Sequence, residues 1–228
     1  MDITLHYIEE GTGTPLLLLH GNGEDGTYFK HQLAYFSKKY RVIAVDTRGH
    51  GQSPRGAAPF TISQFAEDLN AFLEQRDISK AVILGFSDGA NIAMRFAMKH
   101  PEKVEALILN GGNLNARGVK ASVQIPIELG YRMTKLFSRI SEKARKNHEM
   151  LALMVDNPNI EPSELKEIHV PTLVIAGTED MIKEEHTKLL AAEIPGAELK
   201  FVKGGHFVAA KASEEFNAAV DLFLERVL

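Results

Sequence analysis

The chain has no cysteine and no tryptophan, and aromatic residues make up only 7% of its 228 positions. Without cysteine, the chain cannot form disulfides, Cys-ligated zinc or iron–sulfur sites, or a cysteine nucleophile. Long apolar runs are also missing, because the longest aliphatic stretch, residues 16–19, falls far short of the ~20 residues of a membrane helix. The net charge of −4 argues against a basic nucleic-acid footprint. We therefore expect no nucleic-acid partner and no membrane partner.

What is present is the composition of a globular protein, with 44% apolar and 25% charged residues. A length of 228 residues allows one large domain or two small ones. The first ten residues contain neither a basic segment nor an apolar one, so they do not resemble a signal peptide. A cytoplasmic location is the expectation.

Short apolar runs alternate with longer segments of helical periodicity. The pattern predicts strands over residues 3–8, 16–19, 41–45, 81–84, 106–109, 170–175 and 198–202. It predicts helices over residues 28–38, 61–76, 90–99, 184–193 and 213–227. Such alternation indicates an α/β fold with a mostly parallel central sheet and helices on both faces.

One interval breaks the alternation. Residues 113–167 contain no convincing strand and are charged, methionine-rich and helix-favouring. We expect a small helical cap here, inserted into one domain that spans residues 1–228, with a core formed by residues 1–112 and 168–228.

The segment Gly85-Phe86-Ser87-Asp88-Gly89 follows a predicted strand and precedes a predicted helix. A nucleophilic serine on such a sharp strand-to-helix turn needs neighbours without side chains at positions minus two and plus two, since the backbones pass closely there. The turn would also direct a helix N-terminus at developing negative charge. Ser87 is therefore the candidate nucleophile, although a glycine-lined turn without chemistry is the alternative.

Four further segments occur in an informative order along the chain: His20-Gly21-Asn22-Gly23, residues 46–53 (Asp-Thr-Arg-Gly-His-Gly-Gln-Ser), residues 171–180 ending in Glu-Asp, and Gly204-Gly205-His206-Phe207. Together with the serine segment, they resemble the motifs of the α/β-hydrolase fold superfamily over nearly the whole chain. The resemblance does not extend to the insertion.

A serine hydroxyl requires a base, and the base requires an orienting acid. Among nine histidines, His206 lies in a glycine-rich loop after the last predicted strand and is the best candidate base. Asp180 follows a strand end, so the order Ser87, Asp180, His206 is that of the family. Glu179 remains the alternative acid.

By the family's geometry, the backbone N–H groups of Asn22 and Asp88 would form the oxyanion hole. We expect the Asp88 side chain to turn away from the substrate and to contact neighbouring loops through Arg48. Asp46 and Arg48 are expected to hold loops beneath the site.

Candidate substrate-pocket residues flank the catalytic positions or lie in the insertion: Phe86, Met181, Ile182, Phe207, Tyr131 and Met133. For the residues of the insertion, ordinary packing of the cap helices on the sheet is an equally good explanation.

The resulting hypothesis is a carboxylesterase-like serine hydrolase that cleaves an ester of a small or medium acyl substrate without cofactor or metal. Thioester, amide or C–C bond hydrolysis and perhydrolysis would use the same residues. A non-catalytic ligand receptor on the same fold is the alternative from another class. The sequence leaves the oligomeric state open.

Overall fold

The computed structural model describes residues 2–228; Met1, the first residue of the predicted domain, lies outside the described residues. Its centre is a seven-stranded sheet with the order β1-β3-β2-β4-β5-β6-β7. The strands are β1 Tyr7–Glu10, β2 Pro15–Leu19, β3 Arg41–Val45, β4 Ala81–Phe86, β5 Val104–Asn110, β6 Thr172–Gly177 and β7 Glu198–Val202. Only β1 pairs in an antiparallel direction, so the predicted mostly parallel sheet is confirmed.

The α-helices are α1 Lys30–Phe36, α2 Ile62–Gln75, α3 Asp88–Lys99, α4 Ala121–Phe137, α5 Glu142–Val155, α6 Glu184–Glu193, α7 Val208–Lys211 and α8 Ser213–Val227. They cover both faces of the sheet. One apolar core lies beneath α2, α3 and α6, and a second lies beneath α1 and α8. The strands β2, β4 and β5 are almost fully buried, as expected for a sheet covered on both sides.

Two elements differ from their predicted bounds. The first strand begins at Tyr7 rather than at residue 3; just before it, the N–H of His6 donates to the Ser53 hydroxyl at 2.8 Å. The predicted helix over residues 28–38 is split into a 3₁₀ turn, Gly26–Phe29, and α1.

The strand order fixes where a site can form. From β2 the chain crosses to β3 on one side, and it then returns to β4 on the other side of β2. In open α/β sheets, ligands bind outside the carboxyl ends of the strands at such a reversal. The loops after β2 and β4 therefore face one crevice.

Residues 113–167 contain α4 and α5, which pack against each other, and two short 3₁₀ helices. The division of the chain into a core and a cap stays a prediction. Within residues 2–228, no helix combines the length and apolar character needed to cross a membrane.

Candidate active site

Ser87 lies between β4 and α3 with φ 54° and ψ −117°. A non-glycine residue with positive φ is strained, and such strain concentrates at functional sites. The turn is held by the Ser87 N–H, which donates to Asn110 O at 2.8 Å, and by Ala90 N–H, which donates to Ser87 O at 2.9 Å. The side chain of Ser87 thus stands at the carboxyl edge of the sheet and is only partly buried.

The flanking glycines have a direct steric reason. A Cβ on Gly85 would collide with the backbone of Gly89, and a Cβ on Gly89 would collide with the carbonyl of Leu19 in β2. The predicted need for residues without side chains on both sides of Ser87 is confirmed.

His206 and Asp180 form a buried pair. His206 Nδ1 lies 2.7 Å from Asp180 Oδ1, and less than a tenth of either side chain is exposed. The same carboxylate oxygen accepts the Ile182 N–H at 2.9 Å, which fixes its direction. Glu179 is exposed and makes no such contact, so of the two candidate acids the structure joins only Asp180 to the imidazole.

The other ring nitrogen of His206 is buried and has no hydrogen-bond partner among residues 2–228, Ser87 included. The ring of Phe86, directly before Ser87, lies 4.8 Å from the imidazole. Sequence reasoning did not single out Gly111, which adjoins the ring: a Cβ there would come within 2.8 Å of His206 Cε1. The only sequence feature that could have indicated this close approach is the Gly111-Gly112 pair directly after β5.

The loop after β2 carries Asn22, and Asp88 is the first residue of α3. Among residues 2–228, neither backbone N–H donates to an acceptor. The side-chain amide of Asn22 donates two hydrogen bonds, to Asp88 Oδ2 at 3.0 Å and to Met150 O of α5 at 2.9 Å. This amide therefore ties the loop after β2 to the residue that follows Ser87 and to one helix of the predicted cap.

The Asp88 carboxyl is buried, and burial raises its pKa to about 6, against the lowering effect of the amides of Asn22 and Asn91. The expected contact with Arg48 is wrong. Arg48 is instead fully buried and donates to Asp68 and Asp2, at 2.6 Å each. It therefore holds the loop after β3 to α2 and to the N-terminal segment.

Two polar side chains near His206 escaped the sequence analysis. Burial raises the pKa of Glu24 to about 6, against the lowering effect of the backbone of Gly21. Burial also raises the pKa of Tyr28, whose ring stacks on Phe86 at 4.5 Å. Glu24 Oε2 and the Tyr28 hydroxyl have no partners among the described residues. Nothing in their spacing along the chain distinguished them from solvated loop residues.

The other residues of these loops support the backbone, as expected. His20 Nε2 accepts the Thr47 N–H at 3.0 Å, and Nδ1 lies 2.8 Å from Gly21 O. Burial lowers the pKa of His50 to about 4, which keeps it neutral at pH 7. Asp46 accepts the N–H groups of Gly26 and Gln52 at 2.7 and 2.8 Å.

The six candidate pocket residues do not share one surface. The rings of Phe86 and Phe207 both lie beside His206. Ile182 is buried, and its backbone N–H donates to Asp180 Oδ1. The backbones of Met181 and Ile182 also pair with the segment before α4.

The two candidates from α4 have other surroundings. The Tyr131 hydroxyl donates to Asp156, and Met133 is 55% exposed in a cleft between α4 and α5 that no candidate catalytic residue lines. Within residues 2–228, no cluster of three or more His, Asp or Glu side chains is arranged to hold a metal ion.

Comparison with known proteins gives a family match. A model of the family described as alpha/beta hydrolase fold matches residues 14–127. A 2-hydroxy-6-oxononadienedioate/2-hydroxy-6-oxononatrienedioate hydrolase of Burkholderia vietnamiensis is 30% identical over 265 residues, covering 99% of this chain and 92% of that protein. The 3-oxoadipate enol-lactonase 2 of Acinetobacter baylyi is 25% identical over 253 residues, covering 99% and 94%.

The crystal structure of an enol-lactonase from Burkholderia xenovorans superimposes with a TM-score of 0.82 at 23% identity, covering 98% of this chain and 97% of the other. At this identity, the likeness shows the shared fold. Uncharacterized mycobacterial proteins are 35% identical over 119 residues, but the chain spans only 34% of their length.

Proposed function

Since this chain belongs to the α/β-hydrolase family, we propose that it is a serine hydrolase that cleaves carboxylic esters of small or medium acyl substrates through Ser87, His206 and Asp180. One observation carries this proposal. Asp180 holds one nitrogen of His206, while the other nitrogen is buried and unpaired beside the strained turn of Ser87. A base in this state is ready to accept a proton from a hydroxyl.

In the first step, Ser87 Oγ attacks the ester carbonyl carbon, and its proton passes to His206 Nε2. The Asp180 carboxylate accepts the Nδ1–H bond, and it therefore stabilises the imidazolium that forms. His206 then returns the proton to the leaving alkoxide, and the acyl group stays on Ser87. Water, deprotonated by His206, releases the acid and restores the serine.

The tetrahedral intermediate carries an oxyanion, for which the N–H groups of Asn22 and Asp88 are the proposed donors. The proposal is supported by their positions after β2 and β4, the two adjacent strands at the reversal of strand order. The link from the Asn22 amide to Asp88 and Met150 O holds the two donor loops in one arrangement. Fixed donors of this kind contribute several kcal/mol to the stabilisation of the transition state, ~3 kcal/mol each.

The surroundings of His206 also suggest what the substrate carries. The rings of Tyr28, Phe86 and Phe207 form an aromatic wall. At this wall, Glu24 Oε2 and the Tyr28 hydroxyl are unpaired. We propose that an apolar portion of the substrate packs on the rings and that a polar group of the substrate pairs with Glu24 or Tyr28.

Hydrolysis of a C–C bond is the second candidate, because the relative from Burkholderia vietnamiensis acts on a hydroxy-oxo dienedioate and aligns over 99% of this chain. Thioester or amide cleavage and perhydrolysis would use the same residues. A substrate panel separates these reactions: we expect turnover of p-nitrophenyl acetate and butyrate to exceed that of a 2-hydroxy-6-oxo dienedioate.

The Ser87→Ala variant tests the proposal. We expect p-nitrophenyl ester turnover to fall to the background rate while the circular dichroism spectrum stays unchanged. Full turnover in this variant would overturn the assignment of Ser87. If the wild type turns over neither the esters nor the dienedioate, the non-catalytic receptor becomes the better interpretation.

A further inference from the structure

Helix α4 presents an unusual apolar surface. Five of its large apolar side chains are more than half exposed, and Ile140, in the turn that follows, is 80% exposed. We call this set the α4 face: Ile125, Leu129, Met133, Leu136, Phe137 and Ile140. Isolated exposed apolar residues are ordinary, but a contiguous group on one element marks an interaction site.

The spacing shows that the α4 face is continuous. Ile125, Leu129 and Leu136 follow one another by four and seven positions, which places them on one side of a helix. With about 100° per residue, the five side chains of α4 fall within roughly 120° of arc. Ile140, in the turn that follows, lines the same cleft as Met133 and Phe137. The other large exposed apolar residues of the described chain are scattered over different elements: Tyr35, Leu199, Phe207, Leu222 and Leu228.

Basic residues are concentrated in the second half of α4 and in the segment that follows it. Residues 120–146 contain seven Lys and Arg against two Glu, in a chain whose net charge is −4. Six of the basic residues follow the middle of α4 and are exposed: Arg132, Lys135, Arg139, Lys143, Arg145 and Lys146. Among residues 2–228, only Lys146 of these six forms an ion pair, with Glu142.

We propose that the α4 face docks on the surface of an anionic lipid bilayer. A helix with an apolar stripe and flanking Lys and Arg lies in the plane of the interface, with its apolar side chains among the acyl chains and its cations near the headgroups. At 17 residues, α4 is about 25 Å long, enough for several headgroups. This docking would hold the cap against the membrane and goes beyond the proposed ester hydrolysis.

Charge favours an anionic surface over a second copy of the chain. A symmetric dimer through the α4 face would bring two sets of exposed cations together, and like charges in apposition oppose association. An anionic bilayer pairs with the same cations and covers the apolar stripe.

The proposal departs from the sequence-based expectation of no membrane partner. That expectation rested on the lack of an apolar run of about 20 residues. The apolar residues of α4 are instead spaced at helical intervals between polar ones, so they form a surface only once the helix is folded.

Co-sedimentation with vesicles tests the proposal. We expect the full chain to bind vesicles of phosphatidylcholine with phosphatidylglycerol at least about tenfold more tightly than phosphatidylcholine vesicles, and 0.5 M NaCl to remove most of that difference. Leu136→Glu combined with Ile140→Glu should weaken binding by about a hundredfold or more, since each buried leucine-sized side chain accounts for about tenfold.

Leu222→Glu is the matched control, because Leu222 is 58% exposed on α8, outside the α4 face. It should bind vesicles as the wild type does. Turnover of a water-soluble ester should be unchanged in both variants, which separates a docking defect from unfolding and from failure of the proposed catalytic site.

Three results would overturn the proposal: no sedimentation of the wild type with anionic vesicles, equal sedimentation of the Leu136→Glu/Ile140→Glu variant, or a dimer in light scattering that this variant dissociates.

Discussion

Among residues 2–228, two histidine–carboxylate pairs through Nδ1 have nearly the same nitrogen–oxygen distance. His206 Nδ1 lies 2.7 Å from Asp180 Oδ1, and His6 Nδ1 lies 2.8 Å from Asp46 Oδ2. The first pair stands at the carboxyl edge of the sheet beside Ser87. The second joins the segment before β1 to the turn after β3.

The two pairs differ in what surrounds them. Asp46 also accepts the N–H groups of Gly26 and Gln52, so its oxygens are used to hold loops, and a third of the His6 side chain is exposed. His206 is buried and keeps one nitrogen without a partner among residues 2–228. A histidine–carboxylate contact therefore does not mark a candidate site by itself. His206 is the candidate base because its second nitrogen is buried without a partner near the strained turn of Ser87.

The largest expected difference between the pairs lies in turnover. His206→Ala should lower kcat for p-nitrophenyl butyrate by about 10⁴-fold or more, because both proton transfers are lost. His6→Ala should leave kcat within about threefold, since His6 contacts only a loop-holding carboxylate. A loss of similar size in both variants, measured on folded protein, would remove the distinction.

The two acids should separate catalysis from stability. Asp180→Asn should lower kcat by about 10³- to 10⁴-fold, because the imidazole loses its orienting acceptor. Asp46→Asn should instead lower the free energy of unfolding by about 2–3 kcal/mol, since the buried N–H groups lose part of their acceptor. Urea unfolding and steady-state rates of both variants measure the contrast; a rate unchanged in Asp180→Asn would mean that another residue is the acid.

Asp88 extends the comparison to a buried carboxyl without a histidine. Its pKa is raised to about 6, so the folded state holds this proton more tightly than the unfolded state, and Asp88 stabilises the fold at low pH. This contribution is lost as pH rises from about 4 through about 6. Between pH 4.5 and 7.5, the wild type should therefore lose about 2 kcal/mol of unfolding free energy relative to Asp88→Asn. A difference independent of pH in urea titrations would contradict the raised pKa.

The smallest expected effect on kcat comes from a substitution at Gly111. A methyl group there would press on His206 Cε1 and would sit on a backbone with φ 63°. Gly111→Ala should lower kcat by about tenfold through displacement of the imidazole, with KM little changed. Gly196→Ala is the control for backbone strain alone, because Gly196 has φ 72° and open space around it. Equal rates in the two variants would show that the imidazole tolerates the displacement.

The sheet and the order of its elements were predictable because buried parallel strands leave short apolar runs in the sequence. Ser87, Asp180 and His206 were selected for the same reason: each follows a strand end, and those ends share one edge. Their catalytic roles stay predictions.

Contacts between distant segments were not predictable. The Asn22 amide meets Met150 O across 128 positions, and Arg48 pairs with Asp68 rather than Asp88. Glu24 and Tyr28 became candidates only once the structure showed that their polar atoms are buried, which no local sequence pattern predicts. The exposed α4 face likewise emerged only with the fold, because its side chains could equally have packed on the sheet.

The most direct measurement is active-site labelling with a fluorophosphonate, followed by intact mass and peptide mapping. The proposed roles predict one adduct per chain, on Ser87, strong reduction of labelling in His206→Ala, and normal labelling in His6→Ala. A folded wild-type protein that remains unlabelled, or an adduct on a residue other than Ser87, would contradict the assignment of the nucleophile.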